Sequence, residues 1–165
     1  FDMKNKKEEM WIDVFKLIFC LIGINSADLF DLKGVNNVGR VEYTRHKTNR
    51  EYSIKVEPET AELIKKYNSD FHFNCTSNDN FKHILNYHLH KIGKKIGIPE
   101  LTSYYARHTW ATIAAELDIP RDTIAHALGH GSNTVTDIYI NFNYKKVDDA
   151  NRKVLDYVFG NNPKS

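Results

Sequence analysis

The sequence predicts an α+β fold that is mainly helical, with one small antiparallel β-sheet. Three observations carry that prediction. Apolar residues recur at three- and four-residue steps through several long segments. One stretch, residues 40–56, instead reads as two short strands around a polar turn. Gly23, Gly97, Pro99, Pro120 and Gly129 stand where helical segments stop or start.

Residues 6–22 read as the first helix, because Trp11, Val14, Phe15, Ile18, Phe19 and Ile22 share one face; Gly23 ends it. Ser26 is placed to cap a short helix through Leu32, with Asp28 in its first turn. Residues 34–39 are turn-rich. Arg40–His46 and Glu51–Val56 then read as a β-hairpin joined by Lys47-Thr48-Asn49-Arg50. Pro58 fits the start of a helix over about 59–67. Residues 70–80 are polar and irregular. A helix over 81–96 is carried by Phe81, Ile84, Leu85, Leu89, Ile92 and Ile96. Helix 103–117 follows, with Thr102 as its expected cap. A short helix spans 121–128. Ser132 or Asn133 opens another through about Tyr139, and a last helix covers 146–159.

Composition narrows the function. The chain has 165 residues, which fits one domain, and 41% of them are hydrophobic. The longest apolar run, Val14 to Gly23, is broken by Lys16 and is too short to span a bilayer. The chain opens on Phe1-Asp2-Met3-Lys4, with no initiator Met and no signal-peptide pattern, so a fragment of a longer protein is expected. Net charge is only +2, but Arg40, Arg45, Lys47, Arg50 and Lys55 concentrate positive charge on the hairpin, where phosphate contact and plain solvation are both open. Two cysteines, Cys20 and Cys75, form no disulfide or thiolate-metal pattern, and a reducing cytosolic setting is the default.

The last third of the chain sets Arg107, His130 and Tyr139 at spacings of 23 and 9 residues. An arginine and a histidine can hold a phosphate, and a tyrosine hydroxyl can attack it. Taken singly, each has a plainer reading. Arg107 lies beside an apolar face of Ala106, Trp110 and Ile113 and could pair with a carboxylate. Tyr139 could be a core or rim aromatic, with Tyr144 and Tyr157 as rival nucleophiles. Lys47 could be a solvated hairpin tip. His126 and His130 have the spacing of two metal ligands on one helical face, but no Glu or Cys completes a set. His83, His88 and His90 read as surface residues.

Together these residues resemble a known family. Gly23-Ile24-Asn25-Ser26-Ala27-Asp28-Leu29, Lys47-Thr48-Asn49, Tyr104-x2-Arg107-His108-Thr109, Leu128-Gly129-His130 and Tyr139 match the order and spacing of tyrosine recombinase (phage integrase) catalytic domains. The resemblance runs from about residue 10 to 159 and is closest to integrases of Bacteroides-type mobile elements. It implies a single catalytic domain over 1–165, without the family's N-terminal DNA-binding region. Its substrate would be double-stranded DNA and its partners other recombinase protomers, four around two duplexes, in the bacterial cytoplasm on the nucleoid. Tyr139 would be the nucleophile that forms a 3′-phosphotyrosine and frees a 5′-hydroxyl. Arg107 would clamp the non-bridging oxygens, His130 would donate to them, and Lys47 would protonate the leaving oxygen. Neither a metal nor another cofactor is implied.

Two positions depart from the family pattern. Tyr104 stands where the family has a histidine, and a phenol donates to phosphate but is a poor base at neutral pH. Asn25 stands where the family has its first arginine. Strand periodicity puts Tyr43, Arg45 and Lys47 on one side of the hairpin, so Arg45 is the candidate replacement cation. The apolar stripe of the last helix, Val147, Ala150, Val154, Tyr157 and Val158, must be buried somewhere. It either folds back on its own domain or, as the resemblance favours, docks on a neighbouring protomer. Two other classes of function stay in view. Residues 116–140 resemble a helix-turn-helix, which fits a non-catalytic DNA-binding module. His126 and His130 would serve a metal nuclease.

Overall fold

The computed structural model describes residues 3–130 and 144–160. Among these residues the chain forms seven helices and a two-stranded antiparallel sheet, the α+β, mainly helical class expected. The order is α1 (Met3–Cys20), α2 (Ser26–Phe30), β1 (Arg40–Thr44), β2 (Glu51–Lys55), α3 (Pro58–Lys66), α4 (Asn78–Ile96), α5 (Tyr104–Glu116), α6 (Arg121–Leu128) and α7 (Tyr144–Phe159). No helix among them is long and apolar enough to cross a membrane.

Helix α1 packs against α3, α4 and α5. It buries Trp11, Val14, Leu17 and Ile18, and Phe81, Leu85 and Leu89 of α4 and Ala106, Trp110 and Ala114 of α5 complete the same core. Cys20 and Cys75 are both buried free thiols.

The hairpin is anchored rather than free-standing, as a two-stranded sheet must be to persist in water. Val41 and Ile54 face each other across the strands and are buried. Tyr43 and Tyr52 also pair, with rings stacked at 5.2 Å. Beyond the strands, the Arg45 N–H donates to the Arg50 carbonyl at 2.8 Å and closes the tip. Asn49 takes the left-handed conformation there (φ 53°). The tip is clamped to α2. The His46 N–H donates to Asp28 Oδ1 at 3.0 Å, and His46 Nε2 lies 2.6 Å from Asp31 Oδ2.

Several local expectations are corrected. Asn25, not Ser26, caps α2: its Oδ1 accepts from the Ala27 N–H at 2.9 Å. Helix α4 begins earlier, at Asn78, where Ser77 Oγ accepts from the Asn80 N–H at 3.2 Å. At α5 the cap position belongs to Ser103, not Thr102, and the Ser103 N–H is satisfied by Asn86 Oδ1 of α4 at 3.1 Å. His88 is not a plain surface residue. It is half-buried and stacks on Trp11 at 5.4 Å between ring centroids.

The last helix folds back on its own domain. Val147, Ala150, Val154 and Leu155 lie in the common core, while Tyr157 and Val158 of the expected stripe are exposed. The stripe rotates toward Asn151 and Leu155 because Asn151 finds polar partners inside. Trp110 Nε1 donates to Asn151 Oδ1 at 2.9 Å, and Asn151 Nδ2 donates to the Cys20 carbonyl at 3.0 Å. Charge reinforces the seat: Arg40 makes a bidentate pair with Asp148 at 2.8 and 2.9 Å, and Arg152 pairs with Glu57 and Glu59. Of the two alternatives, the single chain takes the first, with the helix seated on its own domain. Of the helix-turn-helix expected over 116–140, the turn at Leu117–Pro120 and α6 are present, and residues 131–140 lie outside the described residues.

Candidate active site

Two backbone features bring α5 and α6 to one place. The first is Gly23, just past the end of α1, in the left-handed region (φ +67°). A Cβ there would lie 2.5 Å from Arg107 Cβ and 2.6 Å from Arg107 Cα, so only glycine lets the two segments approach. The second is Gly129 (φ +73°), which ends α6. The His130 N–H reaches back to the Ala125 carbonyl at 2.7 Å, as in a Schellman stop, and the chain turns so that His130 follows directly on Leu128 and Gly129.

Arg107 is half-buried and held by carbonyls on both sides. Its Nη1 donates to the Gly23 carbonyl at 3.3 Å and its Nη2 to the Leu128 carbonyl. Arg45 Nη1 reaches the same Leu128 carbonyl at 3.5 Å. That oxygen is one of the last carbonyls of α6, which have no partner inside the helix and carry its partial negative charge. Two guanidinium groups therefore share one helix C-terminus. His130 Nε2 lies 3.4 Å from Arg107 Nη2.

These groups line a cavity of about 220 Å³, together with Gly23, Ile24, Asn25, Ser26, Lys47, Ser103 and Tyr104. Of the residues expected at the site, Arg107, His130, Lys47, Tyr104, Arg45 and Asn25 all reach this cavity. Lys47 arrives on the hairpin tip that Asp28 clamps, beside Arg45 of the same hairpin. Tyr104 is exposed at the start of α5, its ring edge-on to His108 at 4.6 Å. Asn25 turns its side-chain oxygen back to its own helix. Tyr139 lies outside the described residues. Its rivals are not part of the lining: Tyr144 sits under the Arg40 guanidinium at 5.4 Å, and Tyr157 is exposed on α7.

The cavity is strongly cationic. Burial, then the neighbouring Arg45 charge, lowers the Arg107 pKa. His130 falls below its ordinary 6.5 through partial burial, then the charges of Arg107, Arg45 and Lys47, so its imidazole is neutral at pH 7. An anion entering the cavity would offset the repulsion between Arg107 and Arg45. The two histidines spaced for a metal face different cations instead: His126 Nδ1 lies 3.4 Å from Arg50 Nη2, and His130 faces Arg107. A guanidinium beside one nitrogen of each ring opposes a bound cation there and favours an anion.

Two contributors were not legible in the sequence. Gly23 was read as a helix stop, yet its larger role is to admit Arg107. Tyr52 was not singled out, yet its hydroxyl abuts Gly129; one more tyrosine among 9 carries no signal of its own.

A family model described as the phage integrase family matches residues 21–146, a span that covers the cavity and its supports. No curated protein and no solved structure matches the chain. The chain therefore belongs to the phage integrase family, the tyrosine recombinases, which recombine DNA site-specifically.

Proposed function

We propose that this domain breaks and rejoins DNA through a 3′-phosphotyrosine intermediate, with Tyr139 as the nucleophile. Its hydroxyl oxygen attacks the phosphorus and loses its proton to water. The bond to the 5′-oxygen breaks, and Lys47 protonates that oxygen as it leaves. Arg107 and Arg45 hold the non-bridging oxygens, with Arg45 supplying the charge that Asn25 lacks. The neutral His130 imidazole and the Tyr104 phenol donate to the same oxygens. The phosphoester energy is kept in the covalent link, so the reverse attack by a 5′-hydroxyl completes strand exchange.

The observation that carries this reading is the convergence of Arg45, Lys47, Arg107 and His130 on one cavity. Recombination proper takes four copies around two duplexes. The motif set fits integrases of Bacteroides-type mobile elements, acting on the bacterial nucleoid. A duplex nicked close to the cleavage site tests the chemistry, because the short product diffuses away and traps the covalent adduct. Wild type is expected to form an adduct and Tyr139→Phe none, with DNA binding largely kept. An adduct formed by Tyr139→Phe and lost in Tyr144→Phe would assign the nucleophile elsewhere.

A further inference from the structure

Residue Tyr52 of β2 reaches across from the hairpin to the turn that carries His130. A Cβ at Gly129 would fall on the Tyr52 hydroxyl, and would stand 2.6 Å from Tyr52 Cζ and 3.3 Å from Arg45 Nη1. The Tyr52 hydroxyl oxygen is buried and has no hydrogen-bond partner among the described residues. Leaving such a group unpaired is unfavourable, so the sequence keeps an oxygen where phenylalanine would fill the ring position without that penalty. The ring is fixed by its stack on Tyr43, and the hairpin is fixed by Val41, Ile54 and the Asp28 clamp. The tip of Tyr52 is thus a rigid stop. What it meets is the backbone between Leu128, whose carbonyl accepts from Arg45 and Arg107, and His130, which faces Arg107.

We infer that Tyr52 is a positioning residue for the phosphate pocket: its hydroxyl seats against Gly129 and sets the turn that presents the Leu128 carbonyl and His130 to the two arginines. The inference rests on the recombinase reading for its kinetic consequence, but its geometric part is measurable without cleavage. Tyr52 need not touch the DNA. It transmits the hairpin's position to α6, so that Lys47 and Arg45 on one side and His130 on the other keep a fixed spacing.

The test is a complementary exchange. Gly129→Ala adds a carbon where Tyr52→Phe removes an oxygen. Gly129→Ala alone is expected to slow adduct formation by at least about 30-fold, through the collision and the strained φ. Adding Tyr52→Phe is expected to restore about tenfold of that loss, the scale of coupling between residues in contact. Tyr52→Phe alone is expected to slow adduct formation a few-fold, at unchanged DNA affinity. The His130 ring titration, followed by NMR without DNA, is expected to move further below 6.5 in Tyr52→Phe, as the turn closes on the hairpin that carries Arg45 and Lys47. Independent, multiplying effects of the two substitutions would overturn the inference. So would an unchanged His130 titration together with an unchanged rate in Tyr52→Phe, a variant that keeps the ring and its packing. A wild-type protein that forms no adduct while the titration moves as expected would count against the recombinase chemistry and leave the positioning contact standing.

Discussion

Arg45 and Arg107 donate to the same acceptor, the carbonyl of Leu128. One comes from the hairpin and the other from α5, 62 residues apart in sequence by their numbers. The helix end between them offsets part of their mutual repulsion and holds two positive forks side by side before any phosphate arrives.

That pairing makes Arg45 the expected stand-in for the arginine that Asn25 lacks. Arg45→Ala should slow cleavage by about 10²-fold or more, comparable with Arg107→Ala, the usual scale for losing a preorganised donor. Adduct formation on a nicked duplex measures both. Near-normal cleavage by Arg45→Ala would move the missing charge to another cation. Restoring the family residue by Asn25→Arg removes the α2 cap and should cost about 1 kcal/mol of stability, read by denaturant unfolding.

Helices and hairpin were legible because each rests on local pattern; the grouping of Arg107, His130 and Lys47 came only with the family resemblance, and Arg45 joined it through strand periodicity. Period-3.6 and period-2 apolar spacing set the elements, and motif order set the grouping. What was not legible depends on space. Ser26 and Asn25 are both good caps, and only the backbone path decides between them. Tyr52 and Gly23 matter through what lies across from them, 77 and 84 residues away by number. The stripe of α7 looks the same whether its own domain or a neighbour covers it, so the seat of Asn151 against Trp110 had to be seen.

Clamping of the hairpin tip gives a second test. Asp28 is 3% exposed and accepts from the His46 N–H, next to Lys47. Asp28→Ala should slow cleavage about tenfold or more by loosening Lys47, the proposed general acid, the sensitivity expected when a catalytic group is misplaced. DNA affinity in a filter or anisotropy assay should change little. Equal loss of affinity and rate would mean that the clamp supports binding instead.

Stability should fall in mild acid partly through His88. Burial against Trp11, then the charges of Lys7 and Lys91, holds its pKa below the ordinary 6.5. The unfolded chain therefore takes up the proton more readily than the folded one. The neutral ring's contribution is full above pH 6.5 and is lost as pH falls through the lowered folded value. His88→Phe should keep the stack and flatten this part of the pH dependence of urea unfolding. An unchanged slope below pH 6.5 would assign the loss to other groups.

Removal of the polar bridge inside the core should be costly. Asn151→Ala strands the buried Trp110 Nε1 and the Cys20 carbonyl and leaves a void. A loss of about 2–4 kcal/mol is expected, the sum of an unsatisfied buried group and a small cavity. A loss below about 0.5 kcal/mol, the usual range for surface changes, would show that the bridge contributes little.

The way α7 is held also limits which proteins could ever trade this helix. Its seat asks for an aspartate opposite Arg40, an amide between Trp110 and Cys20, and an arginine between Glu57 and Glu59. A tail swapped between subunits would recover every one of these contacts only if donor and recipient were copies of the same protein, since exchange of an identical element is nearly free of cost. A tail from a different recombinase would leave a charge or an amide stranded in the recipient. The seat would thus act as a password for kinship, read at the level of single side chains.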